Sequence, residues 1–195
     1  MQSISKFILY NLLGWKVVNG FPKDLKKYLV IAAPHTSNWD FPIAILTKFA
    51  EGANINFIGK HTLFKPPFGF IFRALGGTPV NRSKSKNMVQ TLIDVYHTNE
   101  QFIFAISPEG TRKKMTTWKT GFYHVAKGAN VPIVMATLDF EHKQIVINDP
   151  YYVTGDQKVD FLYFHDYFKN VKGKNPEQFD PNFHLNLKEE VRSEK

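Results

Sequence analysis

Between Tyr28 and Ala33 the chain runs Tyr-Leu-Val-Ile-Ala-Ala, and Pro34 follows. Six apolar residues without polar alternation suit a strand covered on both faces, and proline stops it because it has no N–H to continue a ladder. Such a strand needs helices on both sides. The remaining pattern supplies them. Helices are expected over Phe41–Phe49, Phe68–Leu75, Asn87–His97, Thr120–Ala129 and Phe161–Val171. Strands are expected over Asn54–Gly59, Phe102–Ile106, Val131–Phe140 and Gln144–Val153. The alternation predicts an α/β fold, a single layered domain over residues 21–195. The last two strands are joined only by Glu141-His142-Lys143, which predicts an antiparallel pair in a mixed, mostly parallel sheet. The tail from Lys172 reads as polar and loosely held, and Asp156, Asp160 and Asp166 as a solvated helix face.

Charge is distributed unevenly. Residues 1–86 hold 12 Lys and Arg against Asp24, Asp40 and Glu51, whereas residues 87–195 hold 13 against 14 acids. The whole excess of the net +8 therefore lies in the first half, which points to an anionic partner such as phosphate, nucleic acid or an acidic membrane surface. No apolar run reaches the roughly 20 residues that span a bilayer. Residues 1–20 read instead as an amphipathic membrane-interface helix, with Ile4, Phe7, Ile8, Asn11, Leu12 and Trp15 on one face. Trp15 and Tyr10 suit the headgroup zone, and Lys6 and Lys16 suit anionic lipid. The same lysines bracket a short apolar core with no small-residue cleavage site, so no cleavable signal is expected.

Three constellations carry chemistry. His35-Thr36-Ser37-Asn38-Trp39-Asp40 occupies a strand-to-helix loop, where Asp40 can fold back on His35 and fix its tautomer. Pro108-Glu109-Gly110-Thr111-Arg112 follows a strand; Gly110 permits a tight turn, and Arg112 presents a planar fork for phosphate or carboxylate. Glu109 is able to hold that fork or orient other groups. The third runs from Lys60 through Leu63, Phe64, Phe68 and Gly69 to Arg73, then Gly76-Gly77-Thr78-Pro79-Val80-Asn81-Arg82. Cations interleaved with Phe suit a ligand with an anionic head and an apolar tail. With no cysteine in the chain, thiolate zinc, iron–sulfur and Cys-nucleophile chemistry are excluded. The seven histidines lack metal-ligand spacing, so no metal is expected.

In this order the blocks resemble the glycerolipid acyltransferases, the family of lysophosphatidic acid and glycerol-3-phosphate acyltransferases. His35 and Asp40 match its His-x4-Asp block. Lys60, Leu63, Gly69 and Val80-Asn81-Arg82 match the second, Pro108 to Arg112 the third, and Val131-Pro132-Ile133-Val134 the fourth. The resemblance covers roughly residues 28–140. It departs from the family pattern at Pro34, Ser107 and Met135. It implies transfer of an acyl group from acyl-CoA or acyl carrier protein, as co-substrate, to a hydroxyl of a lysophospholipid or glycerol phosphate, with no cofactor. It also implies His35 as general base, Asp40 as its partner, and Lys60, Arg82, Glu109, Gly110, Thr111 and Arg112 around the acceptor phosphate. Peripheral association with the cytoplasmic face of a membrane follows from the same likeness.

On this reading backbone amides at the start of the helix after Asp40 hold the oxyanion, and the Phe64–Phe72 stretch lines the acyl path. Thr36 and Ser37 read as caps or substrate contacts rather than nucleophiles. The alternatives are a non-phosphate lipid acceptor, a non-catalytic lipid-binding relative, and a nucleic-acid binder that rests only on charge and phenylalanine.

Overall fold

The computed structural model describes residues 1–80 and 88–185. Helix α1 is α-helical over Gln2–Lys6 and π-helical over Phe7–Leu12. There follow β1 (Lys16–Val18), β2 (Lys27–Ala33), α2 (Asp40–Glu51), β3 (Ile55–Lys60), a 3₁₀ turn (His61–Phe64), α3 (Gly69–Ala74) and β4 (Gly77–Val80). Beyond Asn87 come α4 (Met88–Thr98), β5 (Phe102–Ile106), β6 (Thr117–Trp118), α5 (Gly121–Ala129), β7 (Ile133–Thr137) and β8 (Gln144–Val146). The chain closes with α6 (Gln157–Phe168), a 3₁₀ turn (Pro176–Gln178) and β9 (His184–Leu185).

The main sheet has the order β4-β3-β5-β2-β7, and every ladder in it is parallel. The antiparallel return after β7 exists only as isolated bridges, such as Ala136 to Ile147 and Asp139 to Gln144. The turn there is too tightly tied to Asp139 for a full ladder: its carboxylate accepts the N–H groups of Glu141 and His142.

β2 sits at the centre and explains the apolar run. Leu29, Ile31 and Ala33 pack into one core with residues of α4, α5 and α6. Tyr28 and Val30 pack into the other with residues of α1 and α2. α3 joins this second layer, because Phe72 meets Phe41 of α2 at 5.7 Å and the Lys48 ammonium donates to Leu75 O. Burying those side chains stabilises the layer by the usual ~25 cal/mol per Å² of apolar surface.

Three expectations need correction. The N-terminal helix stops at Leu12 rather than near residue 20, because Gly14 turns left-handed (φ 69°) and β1 then pairs with β8. Trp15 is buried edge-on against Phe140 and so does not sit at a water interface, while half-buried Tyr10 donates to Glu51. Asp160 is not solvated: it is buried and accepts from the hydroxyls of Tyr123, Tyr151 and Thr154, while Asp156 caps α6.

Candidate active site

β2 and β5 are neighbours and run parallel, so their carboxyl ends open on the same edge. Their onward connections part there. β2 feeds α2 and then β3, whereas β5 feeds α5 on the opposite face and then β7. Diverging connections leave a crevice at the carboxyl ends of the strands. His35 emerges from β2 on one side of that crevice, and Ser107 to Arg112 emerge from β5 on the other.

His35 Nδ1 lies 2.9 Å from Asp40 Oδ2. The same oxygen accepts the N–H groups of Thr36 and Ser37, each at 2.8 Å. Asp40 is 2% exposed and His35 31%. As the first residue of α2, Asp40 also meets the favourable field of the helix N-terminus. A carboxylate on Nδ1 makes that nitrogen the donor, which leaves the lone pair on Nε2. The arrangement fixes the tautomer and the orientation of the ring.

Glu109 turns inward rather than toward the crevice. It is buried, accepts the His35 N–H at 2.9 Å on Oε2 and 3.1 Å on Oε1, and takes the Ser107 hydroxyl at 2.8 Å. It therefore holds the loop that carries His35; a place among the acceptor phosphate's ligands does not fit this orientation. A second carboxylate beside an anion would be repulsive in any case. Gly110 makes the turn possible at φ 65°, with the Lys119 side chain packed against it so that an added Cβ would come within 3.1 Å. Thr111 is half-buried and Arg112 exposed. Lys60 is exposed at the end of β3, the strand on the far side of β5 from β2. Among the described residues neither Lys60 nor Arg112 is in an ion pair. Arg82 lies outside the described residues.

The Phe64–Phe72 stretch divides. Phe64 is buried and receives Phe72 and the Arg73 guanidinium, whereas Phe68 and Phe70 point to solvent and line no path. Of the expected oxyanion donors at the start of α2, Asp40 N–H bonds Ser37 O, Ile43 N–H bonds Trp39 O, and Pro42 has no N–H. Ser37 Oγ accepts the Trp39 N–H, which makes it a cap.

The tail supplies contacts that no motif announced. Asn175 donates its N–H to Thr36 Oγ1 (3.2 Å) and its side-chain amide to Thr36 O (2.8 Å). The Gln178 side-chain amide lies 2.9 Å from the same carbonyl. Gly173 passes so close that a Cβ would lie 2.5 Å from Thr36 Oγ1. The strap is thus firmly held as far as Leu185, and Phe183 stacks on Trp118 at 3.9 Å. Partners 139 residues apart leave no periodicity to read.

Burial pushes the Glu109 carboxyl up to about 7, against the lowering effect of Ser107 and His35. A raised folded-state value means that the folded protein holds this proton more tightly than the unfolded chain. The associated stability is complete below the ordinary carboxyl range and is lost as pH rises through about 7. The loss amounts to about 3 kcal/mol. Urea titrations between pH 4.5 and 7.5 should show that slope in wild type and a flatter one in Glu109→Gln. Equal slopes would contradict the placement of this carboxyl.

Residues 16–138 match the family model described as Acyltransferase. Over 148 residues the chain is 27% identical to the 1-acyl-sn-glycerol-3-phosphate acyltransferase of Haemophilus influenzae, covering 72% of this chain and 60% of that one. Over 145 residues it is 26% identical to the protein of that name from Escherichia coli, covering 70% and 58%. The chain thus spans about 60% of the length of these relatives. The crystal structure of the 1-acyl-sn-glycerophosphate acyltransferase from Thermotoga maritima superposes with a TM-score of 0.62 at 20% identity, over 85% of this chain and 74% of that one. That likeness is one of fold.

Proposed function

The chain belongs to the acyltransferase family, and on that premise we propose that it moves a fatty acyl group from acyl-CoA or acyl carrier protein to the hydroxyl of a 1-acylglycerol 3-phosphate. The observation that carries this reading is the His35–Asp40 pair, its acid buried and its imidazole partly exposed. The names of the Haemophilus and Escherichia relatives supply the acceptor class.

The chemistry follows from that geometry. An alcohol is a poor nucleophile near neutral pH. His35 Nε2 takes its proton as the oxygen attacks the thioester carbonyl carbon. Collapse breaks the C–S bond, and the proton on the imidazolium goes to the departing sulfur. Asp40 keeps the ring in register and stabilises its charged form. Lys60, Arg112 and Arg82 hold the phosphate, so the hydroxyl is positioned rather than found by collision.

Incubation with decanoyl-CoA and 1-acylglycerol 3-phosphate should release thiol. Arg112→Lys should raise the KM for this acceptor about tenfold, because one ammonium does not copy a bidentate fork. Thiol released only with lysolipids that lack phosphate would shift the acceptor class. No release with any acyl donor and lysolipid would leave a lipid-binding relative.

Peripheral membrane association, on the cytoplasmic face, belongs to the same proposal. No described helix is long and apolar enough to cross a bilayer. Yet of the 14 exposed large apolar residues among the described ones, nine lie in the layer of α1, α2 and α3 and the turns between them. Ile4, Phe7 and Leu12 project from α1, Trp39 from the start of α2, and Phe68 and Phe70 from the α3 end. Lys6, Lys60 and Lys65 are exposed among them, as anionic headgroups require. Replacing Phe7 and Phe68 together by serine should at least halve the protein that sediments with phosphatidylglycerol vesicles. Unchanged sedimentation would contradict this orientation.

A further inference from the structure

A groove of about 460 Å³ opens beyond the carboxyl end of β7. Its floor is apolar: Leu13 and Trp15 after α1, Trp39 just before α2, Ile43 of α2, and Phe140. Lys143, Lys172 and Lys174 form its rim, with Glu141 as the acid among them. Each lysine has a contact that steadies it. Lys172 meets Glu141 at 2.6 Å, Lys174 stands 5.9 Å over the Phe140 ring, and Lys143 donates to Leu13 O at 3.3 Å. The groove adjoins the loop that carries His35, since Trp39 precedes Asp40 and Gly173 packs against Thr36.

Strand order gives the groove its meaning. His35 rises from β2. β5 and β3, which deliver Arg112 and Lys60, lie on one side of it, and β7 lies on the other. A transfer between two substrates must bring both to one imidazole. With the phosphate-binding cations on the β5 side, the second substrate has the β7 side. We propose that this groove binds the acyl thioester donor, its fatty chain on the apolar floor and the phosphates of its carrier against Lys143, Lys172 and Lys174. The volume lies within the ~300–1,000 Å³ of small-molecule sites. Three cations against one carboxylate leave a net positive rim for a polyanionic carrier. The inference rests on the function proposed above.

The test is a comparison of Michaelis constants in the full-length protein, with decanoyl-CoA as donor and 1-acylglycerol 3-phosphate as acceptor. Lys172→Glu combined with Lys174→Glu should raise the KM for decanoyl-CoA on the order of tenfold, with the acceptor KM within twofold of wild type. Trp39→Ala, at a half-exposed position, should raise the donor KM in a chain-length-dependent way, more for decanoyl-CoA than for acetyl-CoA. Repeating the assay with decanoyl-carrier protein separates the two carriers. Calorimetric binding of decanoyl-CoA gives the same comparison without turnover, weaker in the double variant. A rise in the acceptor KM alone would assign the groove to the acceptor. An unchanged KM for both substrates with reduced vesicle binding would make the lysines a membrane patch; either result overturns the proposal. Wild type that binds decanoyl-CoA but transfers nothing would fail the function and leave the groove standing.

Discussion

Replacing His35 by alanine is expected to lower kcat by about 10²–10⁴-fold, the range a positioned general base supplies. The fold should survive. The ring is 31% exposed, and the His35 N–H that Glu109 holds is a backbone group untouched by the substitution. Asp40 keeps the N–H groups of Thr36 and Ser37 as donors. The midpoint of thermal unfolding should therefore stay within about 4 °C of wild type, which corresponds to roughly 1 kcal/mol in a chain of this size. The acceptor KM should change little, because the groups proposed to bind phosphate remain. Wild-type turnover in a folded His35→Ala protein would remove the base from the mechanism.

Asp40 is expected to separate orientation from structure. In Asp40→Asn the amide oxygen takes over the two backbone N–H bonds, so the loop persists. The amide nitrogen would then occupy the place of Oδ1, which is buried and has no partner among the described residues. Catalysis should fall much further than stability. Loss of the negative charge removes the stabilisation of the imidazolium, although the amide oxygen still accepts from Nδ1–H; in a Ser-His-Asp triad the same exchange, which there also turns the tautomer, costs about 10⁴ in kcat. Asp40→Ala should lose activity to a similar extent and stability as well. Thr36 N–H is buried and would be left unpartnered, at about 1–3 kcal/mol. Thermal melts paired with kcat for the two variants check the separation. An Asp40→Asn protein as active as wild type would show that the carboxylate serves only the backbone.

The parts legible in the sequence were those written in local order. Tyr28–Ala33 announced a doubly covered strand because all its side chains are apolar, and the structure buries them on two faces. His35 and Asp40 stand five positions apart, a distance that the short loop 36–39 closes. Other features depended on partners far along the chain. Glu109 reads as a ligand beside Arg112, and only its burial under the His35 backbone reveals a scaffold. Trp15 looked like an interface anchor by helical spacing, yet Gly14 breaks that spacing and sends the ring into the core. Asn175 and Gly173 have no motif at all; they reach Thr36 because α6 and the strap after it return to the same edge of the sheet. Basic charge was likewise only partly informative. Lys27 and Lys48 spend their ammonium groups on the carbonyls of Tyr96 and Leu75, so they add nothing to a binding surface.

The central claim is that the imidazole activates the acceptor alcohol directly, with no acyl group resting on the protein. The most direct measurement is thiol release from decanoyl-CoA by wild-type protein, first without acceptor and then after adding 1-acylglycerol 3-phosphate. The expected result is no release above the spontaneous rate before the addition, and afterwards one thiol for each molecule of diacyl product. A burst of one thiol per protein before any acceptor arrives, with an acyl mass added to the chain, would contradict it.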